Sequence, residues 1–166
     1  LELKPILRKI GEIKNIDSLV TGAGMTATAF VLGKEFATRK PDLAINIGLA
    51  GAFDRSIALG DVVNVIEDQL SEEGVEDADT FLSMEEVGLN GIGILRNSFT
   101  HNVLGVSSVR GITVNTVHGN YESIRKVEER LNPQVETMEG AAFFYACQMN
   151  GVPCLQVRAI SNYVEK

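Results

Sequence analysis

Glu139, Arg158, Ser161 and Asn162 are the side chains of this sequence best suited to binding and catalysis. Glu139 stands at the start of a stretch with helical spacing, where the helix dipole stabilises an ionised carboxylate. A glutamate in that position most often serves only its own helix. Arg158 alternates with Gln156 and Ile160 along "CLQVRAI", a run that reads as a buried strand, and a guanidinium there needs a carboxylate or a ligand. Ser161 and Asn162 follow at once, so one strand end is expected to deliver a cation, a hydroxyl and an amide to one place. Such a set could meet the polar groups of a ligand, and the amide could pair with a donor and an acceptor together. Taken alone, Asn162 is a turn residue after a strand and His118 in "NTVHG" a loop or packing residue.

Strands alternating with helices must position these groups. "IDSLV" reads as a short strand running into Gly22-Ala23-Gly24, and "TATAFVLGKEFATR" as the helix after it. "LAINIG" has the near-continuous apolar character of a strand covered on both faces. "ALGDVVNVIED" is a further strand, residues 68–92 an acidic, irregular excursion or lid, and "RGITVNTVHG" another strand. "YESIRKVEERL" is a helix stopped by Asn-Pro, and "VETMEGAAFFYACQMNG" a helix closed by Asn150-Gly151. The expectation is a single α/β domain over 1–166, with a mixed, largely parallel central sheet and helices on both sides. Ligands of open α/β sheets lie beyond the carboxyl ends of the strands. Gly22 to Gly24, Gly48 to Gly51, and Arg158 to Asn162 fall at such ends, and Gly48 to Gly51, Met138, Glu139 and Asn162 should all border one cleft.

Gly22, Gly24 and Ala27 also fit the glycine spacing of a dinucleotide site. A tight turn, or a nest of N–H groups facing an anion or hydroxyl, accounts for the same glycines without a cofactor.

The chain of 166 residues is 45% hydrophobic, enough for one packed core, and its net charge of −7 disfavours nucleic acid or an anionic membrane as partner. No apolar run reaches the roughly 18 residues of a spanning helix, and no signal-peptide pattern is visible. Cys147 and Cys154 lack metal-site spacing and read as reduced thiols of a cytoplasmic protein. Neither metal nor cofactor is expected. The chain opens at Leu1 with the amphipathic "LELKPILRKI", where an α/β domain would lead with a strand. A truncated or gapped record, incomplete at both ends, is the expectation.

"VETMEGAAFFYACQMNGVPCLQVRAISN" resembles the signature end of the purine nucleoside phosphorylase and nucleosidase superfamily. "KPDLAINIGLAGAFDRSIALGDVV" resembles its central strand, glycine turn and Gly-Asp strand, in the right order. Within that superfamily the chain looks like the futalosine hydrolases, and is similar also to methylthioadenosine/S-adenosylhomocysteine nucleosidases. The resemblance implies a nucleoside phosphorylase-like fold and hydrolysis of the N-glycosidic bond of futalosine, releasing hypoxanthine, in menaquinone biosynthesis. It implies a small nucleoside substrate and a cytoplasmic homo-oligomer.

Carried over by position, Met138 and Glu139 match the pair that holds the ribose hydroxyls. Arg158 and Ser161 match the strand end that orders the site and its water. Val117 and His118 fall near the segment covering the base, and Ala50 and Gly51 in the glycine turn. Glu2 matches the glutamate that activates water, and Asn162 stands where the adenine-cleaving relatives carry an aspartate. Leu49 departs from their serine, the hairpin they insert is short or missing around Gly11 to Asn15, and their final helix is absent.

The amide at 162 has a physical reading. An adenine offers a 6-amino donor and an N7 acceptor, which a carboxylic acid matches. A 6-oxopurine leaving as its N7–H tautomer offers the reverse, which a carboxamide matches. Asn162 cannot itself supply the proton, so solvent or a relay must. Two alternatives stay open: a phosphorolytic purine nucleoside phosphorylase, and a non-catalytic purine or dinucleotide binder.

Overall fold

The computed structural model describes residues 8–9, 13–78, 80–99 and 105–165; Glu2, the expected base, lies outside them. The elements, in chain order, are α1 (Met25–Thr38), β1 (Ala44–Ala52), β2 (Val62–Asp68), β3 (Gly74–Asp77), β4 (Thr80–Ser83) and β5 (Leu95–Arg96), followed by β6 (Ser107–Thr113), α2 (Tyr121–Leu131), β7 (Val135–Thr137), α3 (Gly140–Asn150) and β8 (Cys154–Tyr163). The main sheet is mixed and runs β5-β2-β6-β7-β1-β8, and a further β2–β8 pairing bends it into a closed ring. β1–β8, β2–β6 and β6–β7 are parallel; β1–β7, β2–β5 and β2–β8 are antiparallel.

Closure gives the sheet an inside. Ala50, Ala52, Val63, Val65, Val109, Val135 and Ile160 come from the five strands of the ring and pack as one cluster. Outside it, α1 and α3 pack together through Leu32, Phe36, Phe144 and Cys147. α2 lays Ile124 and Val127 against Ile112, Val114 and Val164. The result is an α/β fold with helices flanking a mixed sheet.

Local chemistry sets the helix ends. The Asn120 side chain accepts from the N–H groups of Glu122 and Ser123 at the start of α2. Gly151, in the left-handed conformation at φ 64°, ends α3 and aims β8 back along β1.

Some expectations do not hold. Residues 16–20 form no strand, and Ile16, Leu19 and Val20 are exposed. β8 lines one edge of β1 along its length, whereas β7 meets the other edge only at Gly51 and Ala52, and residues 16–20 do not pair with the edge left there. The acidic excursion contains a hairpin, β3–β4, in which Val75 faces Leu82 and Glu76 faces Phe81. "VETMEG" is not helical throughout: Val135 to Thr137 form β7, and α3 begins only at Gly140. β1 is not covered on both faces among the described residues, since Ile45, Ile47 and Leu49 alternate outward and are exposed. Apolar composition marks a face as coverable without naming its cover. Among the described residues no helix is long and apolar enough to cross a membrane.

Candidate active site

Glu139 is the N-cap residue of α3, yet its side chain makes no capping bond to that helix. It reaches instead to the start of α1, where the Gly24 N–H donates to Glu139 Oε1 at 3.0 Å. Gly24 has φ 88°, a conformation open to glycine at little cost, and its neighbour Gly22 has φ 89°. The glycine turn thus presents its N–H to a carboxylate of the same chain. The other carboxylate oxygen lies 3.7 Å from Arg158 Nη1, and the Arg158 side chain is 3% exposed. The guanidinium lies across the α-carbon of Gly48, where any β-carbon would collide with Nη1. Glycine at 48 is therefore a condition of placing the arginine.

Behind this pair lies a buried polar network. Arg158 Nη2 approaches Gln156 Oε1 at 3.5 Å, and Gln156 Nε2 donates to Asp68 Oδ2 at 2.9 Å. Thr113 Oγ1 donates to Asp68 Oδ1 at 2.8 Å and accepts from the Ala141 N–H, in the first turn of α3. Burial pushes the Asp68 carboxyl up to about 6, against the pull of Gln156, Thr113 and the Arg158 charge. The network joins β2, β6, β8 and α3, so Arg158 is fixed from several directions.

Asn162 sits differently. β8 pairs with β1 in parallel as far as Ala50↔Ile160, and the next pair is Gly51↔Asn162, so Ser161 is an extra residue. Because side chains alternate, this bulge turns Asn162 onto the face of Gly51, opposite the face that Arg158 shares with Gly48. A β-carbon on Gly51 would lie 3.3 Å from Asn162 Nδ2 and 3.5 Å from Glu136 Cγ. The single Ser161 hydroxyl proton is offered to Ala50 O and to Asn162 Oδ1, at 3.3 and 2.7 Å. Asn162 Nδ2 donates to Tyr163 O at 3.0 Å. The exposed amide keeps one N–H and one lone pair for a ligand.

Glu139 and Arg158 are therefore together, as are Ser161, Asn162, Ala50 and Gly51, while Arg158 and Asn162 part to opposite faces, so the single cleft expected for Glu139 and Asn162 is not lined from one face of the sheet. Three residues of strand, about 10 Å, separate Gly48 from Gly51. Met138 packs against the cluster of Phe53, Ile112 and Val164, and Val117 is exposed. His118 is tied to Glu136: Glu136 Oε1 accepts the His118 N–H at 3.0 Å, and Oε2 lies 2.6 Å from Nδ1. Glu136 is 4% exposed, and burial raises its carboxyl above the ordinary range although His118 draws it down. Glu136 is hidden in the sequence because "VETMEG" has the spacing of the helix that follows it. The available signal was a glutamate between apolar neighbours, two residues before Met-Glu.

Residues 9–166 match the model of the phosphorylase superfamily. The chain belongs to that superfamily. It is 30% identical over 153 residues to a futalosine hydrolase of Thermus thermophilus, covering 87% of this chain and 68% of the relative. A 5′-methylthioadenosine/S-adenosylhomocysteine nucleosidase of Glaesserella parasuis is 24% identical, over 94% of this chain and 72% of its own. In fold it resembles a Helicobacter pylori nucleosidase solved with 5′-methylthioadenosine in the active site (TM-score 0.78, 17% identity), over 98% of this chain and 81% of that one.

Proposed function

We propose that this protein is a hydrolytic purine nucleosidase that cleaves the N-glycosidic bond of futalosine and releases hypoxanthine, a step of menaquinone biosynthesis. The observation that carries the reading is Glu139. It makes no capping bond to its own helix and faces Gly24 and Arg158 instead, where the hydroxyls of a ribose could donate to it. Asn162 supports the choice of base, because its free N–H and lone pair suit O6 and N7–H of a departing 6-oxopurine. Similarity to a curated futalosine hydrolase supports the same substrate.

In this mechanism Glu2 takes a proton from water as the water attacks C1′. Glu139 accepts from the 2′ and 3′ hydroxyls, and Asn162 steadies the base as positive charge builds on the ribose. Met138 and Val117 border the sugar and the base, and Ser161 orients the Asn162 amide. Phosphorolysis would need an arginine-lined phosphate pocket near Gly22 to Gly24. Arg39 pairs with Asp17 and Glu35, Arg55 with Glu165, and Arg110 donates to Asn132 O, all committed elsewhere. The test is to incubate the protein with futalosine, inosine and 5′-methylthioadenosine, with and without phosphate, and follow the free base. Hypoxanthine from futalosine at a rate independent of phosphate is expected. Release that requires phosphate, or adenine as the preferred product, would overturn the reading.

A further inference from the structure

The amide at 162 leaves a gap in the chemistry: a purine departing through N7 needs a proton, and a carboxamide has none to give. We propose that His118, held by Glu136, supplies it. This inference rests on the nucleosidase reading and adds to it the acid that the reading lacks. Three observations carry it. Glu136 and Asn162 both border the α-carbon of Gly51, beside Val164, so Glu136 stands next to the amide that meets the base and holds the His118 ring there. Glu136 binds both the backbone N–H and Nδ1 of His118, which fixes the ring and commits Nδ1. Among the described residues nothing hydrogen-bonds Nε2, and the His118 side chain keeps 14% of its exposure. Phe53 meets the ring edge-on, with centroids 6.2 Å apart, and limits its swing.

The arrangement is that of an oriented general acid. A carboxylate on one imidazole nitrogen fixes what the other can do and compensates the charge of the imidazolium. As the C1′–N9 bond breaks, its electron pair stays with the base, and the Nε2 proton of the imidazolium passes to N7. The ring is left neutral with its Nδ1–H on Glu136, and solvent returns the proton. The attacking water gives its own proton to the general base, so the step adds one water across the bond. Asn162 then accepts from the new N7–H. His118 is a catalytic residue in this scheme and Glu136 a positioning residue.

A leaving group that needs no proton separates this role from a structural one. Futalosine or inosine and 4-nitrophenyl riboside are compared in wild type, His118→Gln and Glu136→Gln. His118→Gln should slow purine release about 100-fold or more, in kcat rather than KM, and leave nitrophenyl riboside cleavage within about threefold. Glu136→Gln should show the same split, less deeply. Equal loss on both substrates, or no loss on either, overturns the proposal while leaving the nucleosidase reading intact. Failure of the wild type to release hypoxanthine from any nucleoside defeats that reading, and this inference with it. A measurement independent of turnover is imidazole NMR, simple in a chain with 2 histidines. Hypoxanthine should shift the His118 ring signals in wild type; an unmoved His118 beside a shifted Asn162 amide also overturns it.

Discussion

Around Glu139 and Arg158 the polar groups are buried and held from several elements, whereas Asn162 itself is exposed and bonded to its chain neighbours. Asp68, Thr113, Gln156 and Arg158 are all at most 3% exposed and lie in one bonded network. Asn162 bonds only to Ser161 and Tyr163 among the described residues. The two regions therefore tolerate change differently. A substitution in the buried network removes a partner from a desolvated charge, so stability and activity fall together. A substitution at the exposed amide alters what a ligand meets and little else.

Removing the cation is the hardest test of that contrast. Arg158→Met should cost about 3–5 kcal/mol, as expected for breaking a buried charge pair, whereas Asn162→Ala should stay within about 0.5 kcal/mol. Urea melts of the two variants decide, and similar midpoints would erase the distinction between the regions.

The next effect is one of pH. Asp68 ionises near 6 in the fold and near 3.8 when free, so the folded state holds the extra proton between those values. Stability should therefore fall as pH rises from about 4 to about 6, by about 3 kcal/mol from this group, and then level off. Asp68→Asn cannot ionise and should flatten that window relative to wild type. An unchanged slope would mean that Asp68 stays ionised in the core.

Kinetics sharpen the comparison further. Glu139→Gln weakens charge-assisted bonds to the ribose hydroxyls and should lower kcat/KM about 100-fold. Ribose-free ligands such as hypoxanthine should bind it nearly as well as wild type, and calorimetry checks this. An effect on both ligands alike would place Glu139 outside the sugar contact.

The smallest effect lies away from both regions. Asn120→Ala removes the cap of α2 and should cost about 1 kcal/mol, read as a modest fall in Tm with kinetics unchanged. A change in the kinetics would tie the cap to the neighbouring His118 loop.

Much of the fold is legible where local chemistry decides it. The Asn120 cap, the apolar spacing of Ile124 and Val127, and Gly151 all announce helix ends or faces in the sequence itself. β2, β6 and β8 are legible as apolar runs between turns. The β2–β8 closure is not, because ring formation depends on pairing residues almost a hundred positions apart. The site divides in the same way. Glu139 and Arg158 stand out as charges in apolar surroundings. That they meet, and that Gly24 completes the contact, is tertiary information. The bulge at Ser161 is the least legible feature: one extra residue in the register reverses the face of Asn162, and nothing in "RAISNY" marks it.

The central claim is that Asn162 reads a 6-oxopurine, and the direct measurement is a competition between futalosine and aminodeoxyfutalosine in wild type and Asn162→Asp. An ionised carboxylate would face O6 with no donor between them, while its protonated form would present to adenine N7 the O–H it accepts. The ratio of kcat/KM, taken at several pH values, should move toward the adenine substrate by about 10- to 100-fold, the effect of one polar group mispaired once the bound base covers it, roughly 1–3 kcal/mol. The gain should be larger at low pH, where the aspartate is protonated. An unchanged ratio would contradict the account, since the amide would then have no part in choosing the base.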